Sequence, residues 1–377
     1  MVVIQDLDMH VLECTPLSPS PQATVTTPLV LLLHGFPELS YSWRKVIQPI
    51  ADAGYHVVAP DQRGYGLTKL RTALPSDRIR FTDDLSPFRM LNLVKDIICL
   101  VHTLGHTSVA AVVGHDFGSL VAGFCALIRP DLFKSVVMMS APFPGPPSLQ
   151  LDSPTNPTVA FMSRVADELA ALNPPRKHYT QYFSTPDANA DMCTPPSGLS
   201  AFLRTYYHVK SADMAHVTPY SLPSATAAVA VLPHYYIMPL HATMPQTIYA
   251  SAPPDTDVSK HWLPDAELDV YVSEYSRTGF QGGLNWYRCL TDEQSLNTLQ
   301  VFAGKKITVA AMFVAGSEDW GVYQSPGAAE LMRDTLCEKM AQEDFVLVSR
   351  AGHWVQQEAP GAVVENLLRF LKKQLVP

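Results

Sequence analysis

Six short apolar segments dominate the hydrophobic pattern of the chain. Each is a continuous apolar run that ends at a polar, glycine or proline residue. Runs of this length are typical of strands buried on both faces of a sheet. We therefore predict six sheet strands, at residues 29–33, 56–59, 109–113, 135–139, 307–314 and 345–348.

Helical spacing appears between these runs. Apolar residues recur every three or four positions from Leu91 to Leu104, and Gly105 suits the end of that helix. A second amphipathic stretch covers 363–371, with Pro360 near its first turn. Apolar strands that alternate with amphipathic helices predict an α/β fold, a mostly parallel sheet flanked by helices.

The alternation stops after Met139 and resumes near Ile307. Of the 32 prolines, 19 lie between Pro142 and Pro264, so the middle of the chain should be irregular and rich in loops. We predict a single α/β core formed by 1–145 and 290–377. A long, mainly helical and loop-rich lid, 146–289, should interrupt it.

Polar residues follow five of the predicted strands. In an open α/β sheet, functional groups gather at the carboxyl ends of the strands, so these residues are the first candidates for a site. They are His34, Asp61, Asp116, Asp319 and His353.

The segment 114–118, Gly-His-Asp-Phe-Gly, lies at a strand-to-helix junction. It has the small-x-nucleophile-x-small form of the sharp turn that holds the nucleophile in α/β-hydrolases, with Asp116 in place of the usual serine. A carboxylate that attacks a saturated carbon leaves an ester, which water can cleave. The turn thus indicates epoxide opening or halide displacement, although Asp116 could instead simply cap the following helix.

Two later strand ends supply possible partners. His353 could act as a general base, and Asp319 or Glu318 could orient it, which gives the chain order nucleophile, acid, histidine. Near the first strand, the backbone N–H of Phe36, together with that of Phe117, would form an oxyanion hole. Pro37 would make a rigid turn beside it.

Five segments carry a resemblance to a known family. They are His-Gly-Phe-Pro-Glu at 34–38, Asp-Gln-Arg-Gly-Tyr-Gly at 61–66, the Gly-His-Asp-Phe-Gly turn at 114–118, Gly-Phe-Gln-Gly-Gly-Leu-Asn-Trp-Tyr-Arg at 279–288 and Gly-His-Trp at 352–354. These segments resemble the motifs of the soluble-type epoxide hydrolases, the aspartate-nucleophile branch of the α/β-hydrolase fold. The resemblance covers the core from about residue 28 and the end of the lid, and is loose over roughly 185–260.

This resemblance implies Asp116 as nucleophile, His353 as base and Asp319, rather than Glu318, as the orienting acid. It also implies two lid tyrosines that protonate the epoxide oxygen, Tyr287 and Tyr179, with Tyr182 as the alternative to Tyr179. The lid would follow the sixth strand, the product would be a vicinal diol, and neither metal nor organic cofactor would be needed. The substrate pocket would include Pro37, Tyr182, Trp286 and Trp354.

Two other functions remain open on the sequence. The same Asp–His–Asp set could serve a dehalogenase or an enzyme that cyclises an epoxide, although Phe117 lacks the side-chain donor that dehalogenases use for the halide. A small-molecule receptor of this fold is the third possibility, but it would not need all three residues.

Composition narrows the partners. The formal net charge of −8 argues against a nucleic-acid partner. The aspartate at the nucleophile turn and the family resemblance favour a small apolar epoxide-bearing substrate. The six cysteines show no CxxC spacing, no basic and apolar leader is visible, and no apolar run approaches 18 residues. We expect a cytoplasmic protein without a membrane span; the sequence leaves its oligomeric state unknown.

Overall fold

The computed structural model describes residues 1–16, 27–74, 76–149, 151, 155–214, 218–223 and 229–374. The strands within these ranges are β1 (Val2–Ile4), β2 (Leu7–Met9), β3 (Val11–Cys14), β4 (Leu29–Leu33), β5 (His56–Pro60), β6 (Lys69–Leu70), β7 (Val109–His115), β8 (Ser135–Met139), β9 (Arg176–His178), β10 (Ile237–Pro239), β11 (Ile307–Gly316), β12 (Cys337–Lys339) and β13 (Phe345–Val348).

The α-helices of the same ranges alternate with the strands in the first third of the chain and dominate its middle. They are α1 (Ile47–Asp52), α2 (Met90–Thr103), α3 (Phe117–Ile128), α4 (Pro157–Ala170), α5 (Tyr179–Phe183), α6 (Ala188–Cys193), α7 (Leu199–Val209), α8 (Met244–Ser251), α9 (Asp265–Thr278), α10 (Gln281–Thr291), α11 (Glu293–Leu299), α12 (Ala328–Leu331), α13 (Val355–Glu358) and α14 (Pro360–Gln374).

Eight of the described strands form the main sheet, in the order β12–β11–β8–β7–β4–β5–β3. The eighth, β13, pairs with the second half of β11, whereas β12 pairs with its first half. All pairings are parallel except that of β3 with β5. The six predicted strands are confirmed as β4, β5, β7, β8, β11 and β13. The continuous apolar runs reflect burial on both faces: Leu31 and Leu33 pack into one core layer, and Val30 and Leu32 into the other.

Helices cover both faces of this sheet, and the two helices predicted from periodicity are confirmed as α2 and α14. Gly105 follows α2 with a φ of 82°, and the His106 N–H donates to the Val101 carbonyl, which closes the helix end. Pro360 is the first residue of α14, where the missing N–H costs no hydrogen bond.

Between β8 and β11 the described chain is mainly helical, with one antiparallel strand pair, β9 and β10. We call residues 140–306 the insertion. In chain order, the insertion follows the fifth strand of the main sheet, β8. The sequence predicted the lid after the sixth strand, a count that is reached only if one strand of the separate β1–β2 hairpin is included. The expected boundary at residue 289 falls within α10, and the division into core and lid remains a prediction.

Candidate active site

The segment 114–118 forms the sharp turn predicted for it. Asp116 has a φ of 52° and a ψ of −119°, and its side chain makes no capping hydrogen bond to α3. A Cβ on Gly114 would lie 2.0 Å from the Gly118 carbonyl oxygen, and one on Gly118 would lie 2.3 Å from that of Leu33. Only glycine fits both positions, and the helix-cap explanation for Asp116 is wrong.

The Asp116 carboxylate lies between a backbone donor and a histidine. The Phe36 N–H donates to Oδ1 over 3.0 Å, and His353 Nε2 lies 3.2 Å from Oδ2. On the other side of the imidazole, Nδ1 lies 3.1 and 3.2 Å from the two Asp319 oxygens. The structure thus joins three strand-end residues in one chain of contacts, and Asp319 rather than Glu318 reaches the histidine.

Backbone hydrogen bonds fix the position of His353. Its N–H donates to the Lys210 carbonyl of the insertion over 2.9 Å, and its own carbonyl accepts from His115 Nε2 and the Ser140 hydroxyl. The neighbouring amides of Gly352 and Trp354 both donate to the Glu358 carboxylate. The imidazole is therefore held between the core and the insertion.

Both triad carboxyl groups favour the ionised form. Burial raises the pKa of Asp116, but the hydrogen bond and charge of His353 outweigh it, and the net pKa lies well below its ordinary value. For Asp319, burial again raises the pKa, whereas His353, the Gly321 N–H and Lys210 bring it below the ordinary value. Asp116 is thus available as an anion near neutral pH.

The other two strand-end candidates do not join this group. His34 bonds through its ring to the Gly35 carbonyl and the Gln62 N–H. Asp61 accepts from the backbone N–H groups of Ser40 and Leu67. Because their polar atoms are used to tie turns together, we assign both a structural role.

A buried ion pair lies directly beneath the triad. Glu38 accepts from His115 Nδ1 over 2.6 Å, while Gln356, Gln357 and the Gly35 N–H also donate to its carboxylate. Burial lowers the pKa of His115, but the Glu38 charge outweighs it and the net pKa is raised. Glu38 and His115 both lie in segments that carry the family resemblance, but nothing in the sequence predicted that their side chains would pair.

Two predicted tyrosines meet near Asp116. The rings of Tyr179 and Tyr287 lie 5.8 Å apart, and Tyr287 also packs edge-on against Phe117 and Phe36. Burial, followed by the charge of Asp116, raises the pKa of each phenol, so both stay protonated in the neutral range. The Tyr179 hydroxyl donates to Gln324 over 3.2 Å.

Tyr182 points elsewhere. Its hydroxyl donates to Asp191 over 2.8 Å, and its ring lies under the Lys177 ammonium. Of the two tyrosines in α5, Tyr179 is thus the one whose ring contacts Tyr287.

Among the other residues expected in the substrate pocket, both tryptophans have no exposed surface. Trp286 packs behind Phe117, and its indole N–H donates to the Arg63 carbonyl over 3.0 Å. Trp354 packs beside His353, and its N–H donates to Tyr207 over 2.8 Å. In the structure both rings pack behind the reacting groups. Their place in the substrate pocket stays a prediction.

Pro37 is buried and follows a cis peptide bond. Its carbonyl accepts from the Tyr207 hydroxyl of the insertion over 2.7 Å. It joins the insertion to the loop that carries Phe36, whose N–H reaches Asp116.

The sequence analysis missed a group from the middle of the insertion. The buried Lys210 ammonium lies within 6 Å of the ring centres of Tyr206, Tyr235, Tyr236 and Trp354. The three tyrosines and the lysine fall where the family resemblance is loose. No local motif marks them; only folding brings them beside the triad.

Within the described ranges, no cluster of three or more histidine, cysteine, aspartate or glutamate side chains has the arrangement of a metal site. Among the described helices, none combines the length and apolar character needed to cross a bilayer.

The sheet order, the nucleophile turn and the Asp–His–Asp contacts together define a protein of the α/β-hydrolase fold. A family model for this fold matches residues 28–360. Epoxide hydrolase A of Mycobacterium tuberculosis is 34% identical over 349 residues, which cover 91% of this chain and 90% of that protein. Epoxide hydrolase 3 of Siraitia grosvenorii is 29% identical, over 92% and 93% of the two chains.

Solved structures give the same result. Epoxide hydrolase I of potato has a TM-score of 0.72 at 26% identity, over 99% of this chain and 98% of that one. Epoxide hydrolase A of Mycobacterium thermoresistibile has a TM-score of 0.69 at 32% identity, over 97% and 94%. The chain belongs to the epoxide hydrolases of the α/β-hydrolase fold family.

Proposed function

We propose that the chain opens a small, largely apolar epoxide to a vicinal diol through an ester formed on Asp116. The position of the Asp116 carboxylate carries this proposal, because it lies between the Phe36 N–H at Oδ1 and His353 Nε2 at Oδ2. This is the arrangement needed for a nucleophile whose ester is later attacked by activated water.

In the first half-reaction, Asp116 Oδ2 attacks an epoxide carbon and the carbon–oxygen bond of the ring breaks. Tyr179 and Tyr287 hydrogen-bond the epoxide oxygen, and one of them delivers a proton to it. Their raised pKa values keep both phenols in the donor form. The negative charge moves from Asp116 through the leaving oxygen to the tyrosine that gives up its proton, which is left as a phenolate.

In the second half-reaction, His353 Nε2 takes a proton from water, which attacks the Asp116 carboxyl carbon. Asp319 holds the Nδ1–H and stabilises the imidazolium that forms. The Phe36 N–H already donates to Oδ1, which becomes the oxyanion, and the Phe117 N–H at the start of α3 is the second proposed donor. Collapse of the intermediate breaks the bond between the Asp116 carboxyl carbon and the substrate oxygen, which leaves with the proton of the added hydroxyl as the diol and restores the Asp116 carboxylate. The proton on His353 then returns to the tyrosine phenolate through solvent.

The alternatives fit these contacts less well. Halide release requires side-chain donors for the halide, but Phe117 has none, and the indole N–H groups of Trp286 and Trp354 already bond to backbone carbonyls. A receptor would not require three aligned ionisable residues. We therefore favour hydrolysis.

The His353→Gln variant tests the proposal. It should attack epoxides but fail to release the ester, so intact-mass spectrometry after incubation with an epoxide panel should show an adduct of substrate mass. Peptide mapping should place it on Asp116.

The control is the Asp116→Asn, His353→Gln double variant, which should form no adduct. If the His353→Gln variant binds epoxides without forming an adduct, the ester mechanism is wrong.

We also propose a cytoplasmic location and no nucleic-acid partner. The six cysteines are unpaired in the structure, which suits a reducing compartment, and the acidic net charge disfavours binding to a polyanion.

A further inference from the structure

Lys210 is a buried cation that the proposed mechanism does not use. It lies one residue beyond α7, and only 5% of its surface is exposed. Its ammonium lies 5.2 Å from the ring centres of Tyr236 and Trp354, 5.6 Å from that of Tyr206 and 5.8 Å from that of Tyr235. These rings attract the charge but occupy none of the three N–H donors in a directed hydrogen bond.

Within the part of the chain that the structure describes, no side chain or carbonyl accepts a hydrogen bond from the Lys210 ammonium. The carboxylates that act on its charge are those of Asp116, Asp319 and Glu38, and each is already bonded to other groups. Burial lowers the pKa of Lys210, and these three carboxylates raise it only in part. A buried ammonium with free donors is unfavourable unless a ligand completes it.

A second polar group without a partner lies beside it. The Tyr236 hydroxyl is buried and bonds to no described residue. The Tyr236 ring packs 5.4 Å from that of Tyr179, and the Tyr236 carbonyl accepts from the Tyr179 N–H. The Tyr236 ring therefore lies between the Lys210 ammonium and the tyrosine that is proposed to protonate the epoxide oxygen.

We propose that Lys210 and Tyr236 form a polar subsite for an uncharged oxygen acceptor, an ether, carbonyl or hydroxyl oxygen, carried by the substrate close to its epoxide ring. The proposal rests on the proposed function, since it names the substrate class of the same site. Such an oxygen accepts from the ammonium and the phenol while the epoxide lies against Asp116. Because the ammonium lies among aromatic rings, such a bond should contribute to selectivity.

Charge excludes an anionic acceptor. Asp116 and Asp319 bring two negative charges against the single positive charge of Lys210, while Glu38 is balanced by His115. A substrate carboxylate would add a third negative charge to a buried site. An uncharged oxygen satisfies the donors without that cost.

The experiment compares two substrates that differ by one atom. Benzyl glycidyl ether has an ether oxygen where 5-phenyl-1,2-epoxypentane has a methylene group, and the readout is the ratio of their kcat/KM values. The Lys210→Met variant should reduce this ratio about tenfold, because one hydrogen bond to a charged donor is lost. The Tyr236→Phe variant, which keeps the packed ring, should reduce it about threefold.

Lys305→Met is the matched control, because this exposed lysine also lies over an aromatic ring, that of Phe302, and should leave the ratio unchanged. If Lys210→Met and Tyr236→Phe lower both kcat/KM values equally, the lysine acts by packing or long-range charge and the subsite is wrong. A preference for 3-phenylglycidate over β-methylstyrene oxide that disappears in Lys210→Met would overturn the assignment to an uncharged group.

Labelling of Asp116 in the His353→Gln variant shows whether a failure concerns the subsite alone or the proposed hydrolysis as well. If both epoxides label Asp116 in the His353→Gln variant but the ratio does not respond to Lys210, only the subsite fails. If neither epoxide labels Asp116, the proposed hydrolysis itself fails.

Discussion

Tyr287 and Tyr179 differ in their surroundings although they lie side by side. Tyr287 is enclosed by the rings of Phe36, Phe117 and Phe183, whereas the Tyr179 hydroxyl is anchored to Gln324. In the proposed mechanism both phenols hydrogen-bond the epoxide oxygen and together polarise it. The loss of either one should therefore slow ring opening without abolishing it.

We expect Tyr287→Phe and Tyr179→Phe each to lower kcat/KM roughly 10- to 100-fold, and the double variant to lose more than either alone. Rapid-quench measurement of ester formation should locate the loss in the first half-reaction. Tyr182→Phe is the control, because its hydroxyl bonds to Asp191, and it should stay within threefold of the parent. A larger loss in this control than in Tyr179→Phe would reverse the assignment.

The buried Glu38–His115 pair should make the stability of the fold depend on pH. Its carboxylate accepts from four donors, and replacement by glutamine should cost about 3 kcal/mol of unfolding free energy. The pKa of His115 is raised, so its contribution is complete below the unfolded value near 6.5 and is lost as pH rises through the folded value. The pKa of Glu38 is lowered, so its contribution is present above about 4.5 and lost at lower pH.

The cost of Glu38→Gln should therefore be largest between about pH 4.5 and 6.5 and smaller at pH 9. Urea unfolding at pH 5.5 and 9 measures the difference. Glu343→Gln, which breaks an exposed pair with Lys373, should cost little at either pH. An equal cost of Glu38→Gln at both values would show that the ion pair does not titrate with folding.

At the scale of elements, α10 depends on close backbone contact with the core. A Cβ on Gly282 would lie 1.9 Å from the Gly64 carbonyl oxygen, and Gly64 itself has a φ of 91°. The glycines at 282 and 283 thus allow α10 to lie against the turn that follows β5. This contact places Tyr287, one and a half turns further along α10, beside Phe117.

Gly282→Ala should lower the unfolding free energy by about 3 kcal/mol or displace α10 and reduce activity. Thermal unfolding and steady-state kinetics distinguish the two results. Gly361→Ala is the control, because the added Cβ meets open space in α14, and it should stabilise the protein by about 0.5 kcal/mol. A neutral Gly282→Ala would mean that the helix does not need this approach.

At the scale of the whole molecule, the core and the insertion share their polar contacts. Arg44 pairs with Glu267, the Lys210 carbonyl holds the His353 N–H, and the Tyr207 hydroxyl bonds to Pro37. The proposed catalytic groups thus come from both parts of the chain. We expect the insertion to unfold together with the core.

Thermal unfolding followed by far-UV circular dichroism and by tryptophan fluorescence should give one coincident transition. The fluorescence reports on both parts, since Trp262 and Trp286 lie in the insertion while Trp43 and Trp354 lie in the core. Two separated transitions would show that the insertion is an independent unit.

The sequence predicted the elements of the core because their burial is regular. Strands such as β4 and β8 are buried on both faces and appear as unbroken apolar runs. Asp116 was recognisable because its turn permits only glycine at 114 and 118. The insertion lacks such constraints: the short strands β9 and β10 and the helix α7 left no distinctive pattern.

The sequence by itself determined the parallel sheet, the nucleophile turn and the order of the three triad residues, since each depends on short-range pattern and backbone geometry. The strand-end pattern left Asp319 and Glu318 open, and the family resemblance preferred Asp319 and Tyr179. Only the tertiary structure shows which side chains meet: Asp319 with His353, Tyr179 with Tyr287, and Lys210 with its aromatic rings. The choice of tyrosine and the position of Lys210 depend on how α5 and α7 pack over the carboxyl ends of the strands. Local spacing cannot encode these contacts, since Asp319 lies 34 positions from His353 and Tyr179 lies 108 positions from Tyr287.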